Sequence, residues 1–484
     1  MAGMTGLTTL SRRFSRRRLL SLAGAAAAGV TATRGLQLDL YAWEQRQEDL
    51  WSTAADILRR IKAPVFPARD FLVTAHGAKG DGVFDSGPAI RAAIDACHAA
   101  GGGRVVVPAG RFLTGAIRLR SNVNLHVQQG GTIAFRHEAD AYPIVLTRFE
   151  GVELMNYSPF VYALDETNVG LTGAGTLDGQ SDPTHWWDWR GAGPARDARQ
   201  TPARTRLIQM SADNVPVERR VFGPGGYLRP NFIQPYRCQN VLIEGLSIVN
   251  SPMWEVHPVL CSNVVVRGLR INSHGPNNDG CDPESCRDVL IEQCTFDTGD
   301  DCIALKSGRN EDGRRINKPI ENVVIRDCDM KDGHGGVVIG SEISGGARNI
   351  FAEKCRMDSP ELDRALRFKN NAARGGLVER VAMRDVTVGQ VAEAVVACDF
   401  FYEEGRNGGY KPVLRNVEVR NVTSKKSKHA FLLRGFAESP ITDIRVIDCR
   451  FDGVESPDIL EGVKDLVLTN VTVNGTRRDE RISR

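Results

Sequence analysis

The sequence lacks a large charge excess of either sign and lacks the cysteine patterns of a metal protein. Its 484 residues carry 62 Lys and Arg against 59 Asp and Glu, a formal net charge of +3 at pH 7. Such a balance does not predict binding to nucleic acid or to a membrane surface. Eleven cysteines occur, but none forms a CxxC pair or a His–Cys cluster, which argues against a zinc site. We expect no metal, no cofactor and no nucleic-acid or membrane partner.

Long hydrophobic runs are also missing. The apolar stretch over residues 21–30 is Ala-rich and too short to remain in a bilayer as a spanning helix. It follows Arg16 and Arg17, and a twin arginine before a short apolar stretch is typical of a twin-arginine export signal. We therefore predict a signal peptide over residues 1–35 and a periplasmic or extracellular protein. A disordered basic tail is the alternative interpretation.

What the chain does contain is an internal repeat. A line that starts with Asn or Asp, alternates through Val, Leu and Ile, and reaches a small or apolar residue six positions later recurs along the chain. It starts at Asn240, Asn263, Asp288, Asn322, Asn349, Asn416, Asp443 and Asp465, and more loosely at Arg380, with successive starts 22 to 36 residues apart. Each unit predicts strand and turn, without room for a crossover helix. The fold class is therefore all-β, a right-handed parallel β-helix.

The repeat brings four short motifs onto one stripe. Asp300 lies twelve residues after the line start Asp288, and His334 lies twelve after Asn322. Positions of equal register on neighbouring coils share a face and lie about one strand spacing, ~4.8 Å, apart. Asn277-Asn278-Asp279 belongs to the coil before and Arg367-Phe368-Lys369 to the coil after. Three carboxylates, one imidazole and two cations should therefore converge.

In this order, Asn277-Asn278-Asp279, Gly299-Asp300-Asp301, Gly333-His334-Gly335 and Arg367-Phe368-Lys369 resemble the motifs of the polygalacturonases of glycoside hydrolase family 28. The family usually has Thr at the position of Asn278. The resemblance extends from about Phe71 to Val473, and loops such as Ser307-Gly308-Arg309 resemble the bacterial exo-acting branch. It implies a secreted, inverting hydrolase of α-1,4-galacturonan in pectin.

The resemblance also assigns roles within the stripe. It makes Asp300 the general acid, while Asp279 and Asp301 hold and activate the water. Inversion suits two carboxylates ~6.5–9.5 Å apart, a separation that Asp279 and Asp300 on neighbouring coils could reach. Adjacent residues of a regular strand point to opposite faces, so Asp300 and Asp301 can share a cleft only with irregular backbone, which Gly299 would ease.

His334 would donate a hydrogen bond to Asp300 and so adjust the pKa of the Asp300 carboxyl. Arg367 and Lys369 alternate along the chain, so both would point the same way and pair with the carboxylate of a galacturonate unit. Asn277 is a further expected substrate contact. Structural interpretations remain open for Asp301, as a buried carboxylate, and for His334, as a satisfied histidine. Arg367 and Lys369 could instead form a solvated charged face.

Two helices are expected near the N-terminus. An amphipathic helix is predicted over residues 40–61, stopped by Pro64 and Pro67. A second helix begins near Pro88, buries Ile90, Ala93, Ile94 and Cys97, ends at Gly101-Gly102-Gly103 and should cap the open end of the solenoid. The preceding Gly80-Asp81-Gly82 lacks the Gly-Lys-Ser/Thr ending of a phosphate loop. The predicted divisions are 1–35 signal, 36–68 helical extension, 69–476 β-helix and 477–484 tail.

Two residue classes leave alternatives open. Trp186, Trp187 and Trp189 lie in an insertion that breaks the repeat, where they could stack on sugars or pack under the loop. Cysteines alternate with Leu and Val at the sixth repeat position, which favours an interior column of free thiols rather than disulfides. This column contains Cys294, Cys328, Cys355 and Cys449. Cys281 and Cys286 are the best local disulfide candidate.

The predicted function is therefore that of a monomeric, exo-acting enzyme whose partner is an acidic polysaccharide. A rhamnogalacturonan or xylogalacturonan hydrolase is an alternative in the same class. A pectate lyase, which would use Ca²⁺ and an Arg base, is an alternative of another class. A catalytically silent carbohydrate-binding β-helix is the third, although the three carboxylates argue against it.

Overall fold

The computed structural model describes residues 50–191 and 199–484, and the chain folds as a right-handed parallel β-helix. Most coils supply one strand to each of three faces, and strands of successive coils pair in parallel. Face 1 contains β1 (Asp70–Leu72), β3 (Gly103–Val107), β6 (Val123–Val127), β11 (Thr167–Gly173), β14 (Gln239–Glu244), β16 (Ser262–Arg267), β18 (Arg287–Glu292), β21 (Ile320–Arg326), β24 (Ala347–Glu353), β27 (Leu377–Arg384), β30 (Val413–Arg420), β33 (Ile441–Ile447) and β36 (Val463–Val473).

The other two faces consist of shorter strands. Face 2 contains β2 (Asp81–Asp85), β4 (Gly110–Thr114), β7 (Gly131–Phe135), β12 (Thr176–Asp178), β15 (Ser247–Val249), β17 (Arg270–Ser273), β19 (Thr295–Thr298), β22 (Asp329–Met330), β25 (Arg356–Met357), β28 (Thr387–Gln390), β31 (Thr423–Lys426) and β34 (Arg450–Phe451). Face 3 contains β5 (Ile117–Arg118), β10 (Val161–Leu164), β13 (Ile233–Tyr236), β20 (Ile303–Leu305), β23 (Val337–Ile339), β26 (Arg364–Lys369), β29 (Ala394–Asp399), β32 (His429–Arg434) and β35 (Ile459–Glu461).

The nine repeat starts mark the same corner on nine coils. All nine starts have φ between 53 and 59°, in the left-handed region that Asn and Asp tolerate better than other side chains. Their amides form a ladder along the axis: Asn322 donates to Asp288 at 3.0 Å and accepts from Asn349 at 2.9 Å. Arg380 continues the ladder by donating to Asn349 at 2.7 Å. Backbone conformation and stacking together explain the Asn and Asp of the repeat.

The interior of the coils is apolar and contains the cysteines. Cys294, Cys328, Cys355 and Cys449 are buried free thiols, which confirms the predicted column. A second column, which the repeat did not predict, runs through Cys238, Cys261 and Cys286, where the thiol sulfur of one coil accepts a hydrogen bond from the backbone N–H of the coil before.

The suggested disulfide between Cys281 and Cys286 is wrong. Both are free and buried. Cys286 belongs to the second cysteine column, and its thiol donates to the carbonyl of Pro258 at 3.2 Å. Cys281 pairs instead in the ladder of face 3, between Val256 and Ile303. The two residues thus face different neighbours, although they are close in sequence.

Helices cover the end and one corner of the solenoid. Helix α2 (Gly87–Ala99) has Pro at its start and buries Ile90, Ala93, Ile94 and Cys97, as predicted. It packs against β1 and β3 at the N-terminal end. Residues 50–60 form α1. Arg60, at the end of this helix, forms an ion pair with Asp288 of β18 at 2.8 Å. The part of the predicted 40–61 helix before residue 50 lies outside the described residues, as does the predicted signal peptide.

Three further elements stand over face 3. They are the antiparallel hairpin of β8 (Ile144–Phe149) and β9 (Val152–Tyr157), helix α3 (Thr201–Ala212) and helix α4 (Asn310–Ile316). The hairpin is fixed to the face by an ion pair between Arg148 and Glu284 at 2.7 Å, with both side chains fully buried. Tyr162 on β10 also donates to the hairpin carbonyl of Leu146 at 2.5 Å.

The C-terminus differs from its prediction. Residues 477–484 were expected to form a tail, but β37 (Thr476–Ile482) pairs antiparallel with β36. A final strand covers the last open edge of face 1, where unpaired backbone groups would otherwise remain. Within residues 50–191 and 199–484, no helix has both the length and the apolar character needed to span a membrane.

Candidate active site

The structure brings all four sequence motifs together. Asp279, Asp300 and His334 lie in turns that lead from face 2 to face 3, and Arg367 and Lys369 lie on β26. The backbone N–H of His334 donates to the carbonyl of Asp300 at 3.2 Å, so these residues hold the same register on adjacent coils, as predicted. The stripe therefore follows from the repeat.

The three carboxylates are closer than expected. One oxygen each of Asp279, Asp300 and Asp301 lies within 4.8 Å of the others. The ~6.5–9.5 Å separation expected for an inverting pair is therefore not found between their nearest oxygens. The turns shorten the distance, because Asp279 and Asp300 lie outside the regular strands and lean over the same corner of the solenoid.

Irregular backbone places Asp300 and Asp301 in the same site. Strand β19 ends at Thr298 and β20 begins at Ile303, so neither carboxylate belongs to a strand. The hydroxyl of Thr298 donates to the carbonyl of Asp300 at 2.8 Å and fixes the turn. In the next coil, Gly333 has φ 151°, and a Cβ there would lie 2.6 Å from the carbonyl oxygen of Asp300. Glycine at 333 thus permits the two turns to stack.

His334 and Asp300 form a charged pair. Nδ1 of His334 lies 2.9 Å from Oδ1 of Asp300. The hydrogen bond to Asp300 raises the pKa of His334 to about 9. Burial raises the pKa of Asp300, but the hydrogen bond from His334 and the charge of Lys369 outweigh burial and hold it at about 2. The free protein at neutral pH therefore contains an imidazolium beside an aspartate anion.

Asp279 holds the proton that Asp300 lacks. Burial and then the neighbouring charge of Asp300 raise the pKa of Asp279 well above its usual range. Oδ1 of Asp279 is buried without a hydrogen-bond partner in the described chain. Two close carboxyls that share one proton titrate as a pair, and that proton can lie on either member. Asp279 and Asp300 can therefore exchange the roles of acid and base.

Arg367 and Lys369 point to the same side, as predicted, but both face Asp301. Lys369 forms a short ion pair with one oxygen of Asp301, and Nη1 of Arg367 lies 3.5 Å from the other. Burial lowers the pKa of Lys369, but the charge of Asp301 overcomes that effect and raises it. Asp301 is thus held by two cations. Arg367 contacts it only loosely and donates to the carbonyl of His334 at 3.0 Å.

The amides before Asp279 have different roles. Asn277 lines the pocket, and its Oδ1 accepts a 2.7 Å hydrogen bond from Arg229. Asn278, which stands where the resembling family has Thr, is fully buried. Its Oδ1 accepts from Ser273 and its Nδ2 donates to the carbonyl of Ser251. The buried Asn278 side chain therefore stabilises the turn by hydrogen bonds, while Asp279 faces the site.

Lys306 is a further residue of the site, and the sequence did not predict it. Its buried Nζ lies 3.5 Å from Asp279 and 3.3 Å from Glu342, and 4.3 Å from the centre of the Trp254 ring. Burial lowers the pKa of Lys306, but the surrounding carboxylates raise it well above its usual range. In the structure Leu305 pairs with Ile339, and Ile339 pairs with Phe368. Lys306 is therefore in register with Lys369 two coils later, although the two lysines lie eighteen and twenty positions after their repeat starts.

A group of ion pairs around Arg309 lines one end of the site and was not predicted from the sequence. We call this group the Arg309 wall. Arg309 joins Glu150 at 3.1 Å and Glu403 at 3.2 Å. Arg204 on α3 also contacts Glu150, at 2.6 Å, and fully buried Arg374 contacts Glu403 at 2.6 Å. The hairpin tip, α3 and three loops are thereby tied together. No repeat predicts this wall, because its segments interrupt the coils.

Together these residues enclose a pocket of about 370 Å³. Its lining comprises Glu150, Arg190, Gln200, Thr201, Arg204, Trp254, Asn277, Asp279, Asp300, Lys306, Arg309, His334, Ser341, Glu342, Arg367, Lys369, Tyr402 and Glu403. The three tryptophans of the insertion are not among them. Trp186 is buried against Tyr142 and Phe160, and Trp187 donates to the carbonyl of Ser251, so both have packing roles.

Two clusters have the ligand types of a divalent-cation site. Asp279, Asp300 and Asp301 form one, and His274, Asp297 and Asp332 form the other, each with ligand atoms within 4.8 Å. In the first cluster Lys306 and Lys369 already balance part of the negative charge. A cation there would meet these ammonium groups, so acid–base chemistry fits the pocket better than metal chemistry.

Comparison with known proteins supplies a family and relatives. The family description "Glycosyl hydrolases family 28" matches residues 224–475. The structure of a hyperthermoactive exopolygalacturonase from Thermotoga maritima is 44% identical, with a TM-score of 0.85, and the match covers 89% of this chain and 98% of that one.

Two curated sequences are more distant. An exo-poly-alpha-D-galacturonosidase of Dickeya chrysanthemi is 26% identical over 84% of this chain and 71% of its own length. A probable polygalacturonase of Vitis vinifera is 27% identical over 71% of this chain, and the match spans 66% of that relative.

Proposed function

The chain belongs to family 28 of the glycosyl hydrolases, and we propose that it removes galacturonate units from the ends of α-1,4-galacturonan chains in pectin. The observation that carries the proposal is a pocket in which Asp279 and Asp300 stand beside Arg367, with Asp301 buried directly behind them, and which the Arg309 wall lines at one end. The names of the Thermotoga and Dickeya relatives support the same activity.

The charges of the pocket favour an acidic sugar. Arg367 keeps unpaired guanidinium donors, since its contact with Asp301 is 3.5 Å long. Its guanidinium and the ammonium of Lys369 both lie within 6 Å of the Tyr402 ring, at 5.8 and 5.5 Å. An arginine beside an aromatic ring can bind a planar carboxylate in two-point fashion while the ring packs on the sugar. A neutral sugar would offer the remaining donors of Arg367 no anionic partner.

The closed end supports exo action. A polymer that passed through the site would need open space on both sides of the carboxylates. Glu150, Arg309 and Glu403 occupy one side and are held by ion pairs from several segments. A chain can therefore enter only by its end, with the terminal sugar against the wall and the next sugar at Arg367. Single galacturonate units should be released.

The carboxylates divide the chemistry between them. In the proposed reaction Asp300 protonates the oxygen of the leaving sugar, while Asp279 and Asp301 hold the attacking water. Asp301, held by Lys369, orients the water, and Asp279 takes its proton. In the free protein the shared proton lies on Asp279, so it must pass to Asp300 when substrate binds. This step is possible because the two carboxyls are close neighbours.

The stereochemical outcome is a separate part of the proposal. The family resemblance implies inversion, in which water attacks directly. The short carboxylate separation is instead typical of enzymes that form a covalent intermediate and retain configuration. We expect inversion, because Asp301 is neutralised by Lys369 and is a weak nucleophile. Proton NMR of the first product formed would show the β-anomer, and the α-anomer would refute direct attack.

The activity is tested by incubation with polygalacturonic acid. Reducing ends, ultraviolet absorbance and product size are followed together, with and without a chelator. Monomer from the start, without absorbance, is the expected result. Unsaturated product, or loss of activity in chelator, would indicate a lyase. Activity only on branched pectin would indicate a rhamnogalacturonan or xylogalacturonan hydrolase, and no product from any pectin would indicate a silent binding protein.

Export is proposed from the sequence alone. We infer that residues 1–35 direct the chain through the twin-arginine route, supported by Arg16 and Arg17 before the apolar stretch 21–30. Fusion of this segment to a reporter enzyme should place the reporter outside the cytoplasm. Replacement of both arginines by lysine should keep it inside, and unchanged export would refute the twin-arginine assignment.

A further inference from the structure

A second cavity continues the candidate active site along face 3. It has a volume of about 320 Å³ and shares Arg367, Lys369 and Tyr402 with the catalytic pocket. Its other lining residues come from β26, β29, β32 and β35, with Glu393 just before β29, so the cavity continues face 3 toward the C-terminal coils. A chain whose end fills the pocket would therefore extend into this cavity.

Strand register determines how far Arg434, which lines that cavity, lies from Lys369. Lys369 pairs with Asp399 in the next coil, and Asp399 pairs with Arg434 in the coil after that. These three residues thus form one outward column, with Arg434 two coil spacings, ~10 Å, beyond Lys369. Two coil spacings exceed the length of one sugar unit, so Arg434 lies beyond the reach of a sugar that is bound at Arg367.

Arg434 has donors available. Its side chain is 37% exposed, and its ion pairs with Asp399 and Glu461 are long, at 3.5 and 3.6 Å. No hydrogen bond from its guanidinium to a described residue is found, and the group lies 4.7 Å from the centre of the Phe401 ring, which holds it in place. Loose ion pairs of this kind in water contribute little and exchange readily for a new anion.

The other arginine of the cavity differs. Arg364 forms a short hydrogen-bonded ion pair with Glu393 and a second contact with Asp363 at 3.3 Å. Burial is the first cause that lowers its pKa, and the charge of Arg367 adds to that effect. Arg364 is thus already occupied as a structural cation, and Arg434 is the group that can receive a ligand.

We propose that Arg434 binds the carboxylate of a second uronate on the leaving-group side, so that the protein acts better on three linked galacturonates than on two. This inference rests on the proposed function. The terminal unit occupies the closed pocket, the next unit lies at Arg367, and the third unit reaches Arg434. A two-unit substrate ends before Arg434 and gains nothing from it.

The test compares digalacturonate with trigalacturonate. In the wild type, kcat/KM should be higher for the trimer. In Arg434→Gln it should fall about tenfold for the trimer, as expected for a lost charge-assisted hydrogen bond, and stay unchanged for the dimer. The matched control is Arg356→Gln, an exposed arginine on face 2 that is ion-paired to Asp329 at 3.2 Å, which should alter neither rate.

Each other outcome has a defined meaning. An equal loss on both substrates, or no loss on the trimer, would overturn the role of Arg434. Failure of the wild type to cleave either substrate would instead refute the proposed function. Should Arg434→Gln not fold, the wild type is assayed with a trimer whose reducing-end carboxylate is methyl-esterified. The trimer advantage should then disappear, and its persistence would overturn the proposal.

Discussion

Replacement of His334 by Gln should move the alkaline limit of activity to higher pH. The glutamine amide can still donate to Asp300, but the positive charge is lost. In the wild type the hydrogen bond to Asp300 keeps the pKa of His334 at about 9, so the imidazolium is present through the neutral range. Its charge favours the anionic forms of Asp279 and Asp300. Without it both carboxyls bind protons more tightly, and the shared proton is lost at higher pH.

The size of the shift follows from the contact. A hydrogen bond to a charged group is worth roughly 1.5–3 kcal/mol, and one pKa unit corresponds to about 1.36 kcal/mol. The His334 side chain is 53% exposed, so solvent screening places the effect near the lower limit. We expect the alkaline limb of kcat/KM to rise by about one pH unit, with a loss of about tenfold at the optimum.

The assay is the release of galacturonate from a soluble oligomer between about pH 4 and about pH 10. His274→Gln is the matched control, because Nε2 of His274 makes a similar 3.0 Å ion pair with Asp297 outside the pocket. The control should retain the wild-type profile. An alkaline limb of His334→Gln that stays in place, or moves to lower pH, would show that the charge of His334 does not hold the shared proton.

Three further changes test other parts of the structure. Asp300→Asn should lower kcat by roughly 10²–10⁴ or more through loss of the acid, with unchanged circular dichroism; near-normal turnover would refute the acid assignment. Arg309→Met should destabilise the fold by about 3–5 kcal/mol in urea and open the wall, so that oligomers longer than the monomer appear among the first products; monomer alone would refute the exo argument. Asn322→Ala should cost about 2–4 kcal/mol, from two ladder hydrogen bonds and the positive φ. Asn322→Gly, which keeps that backbone conformation, should lower the free energy of unfolding by less. Equal losses in the two variants would contradict a contribution from the positive φ.

The repeat explains why so much of the site could be predicted. A period fixes the register, and the register fixes which residues share a face on neighbouring coils. Asp300 and His334 lie twelve positions after equivalent starts, and their backbones pair in the structure. The cysteine column at the sixth position is buried for the same reason. Lys306 escapes this rule, because it is in register with Lys369 but lies eighteen positions after its start, whereas Lys369 lies twenty after its own.

Side-chain partners within the stripe were less predictable. Arg367 and Lys369 were assigned to the substrate, but both also face Asp301. The expected spacing of Asp279 and Asp300 was too long, because turn geometry decides how far a carboxylate leans over its neighbour. Register gives the order of residues along the axis, whereas distances of a few ångströms depend on local backbone conformation.

The sequence by itself determined the solenoid, its capping helix and the convergence of the four motifs, since each follows from local pattern and a period. The tertiary structure alone decided that the Arg309 wall lines one end of the site. The residues around Arg309 come from segments that interrupt the repeat, and only folding brings them together. They are Glu150, Arg204 and Glu403. Periodicity relates residues of neighbouring coils, but it has no rule for segments that leave the coils and meet above them.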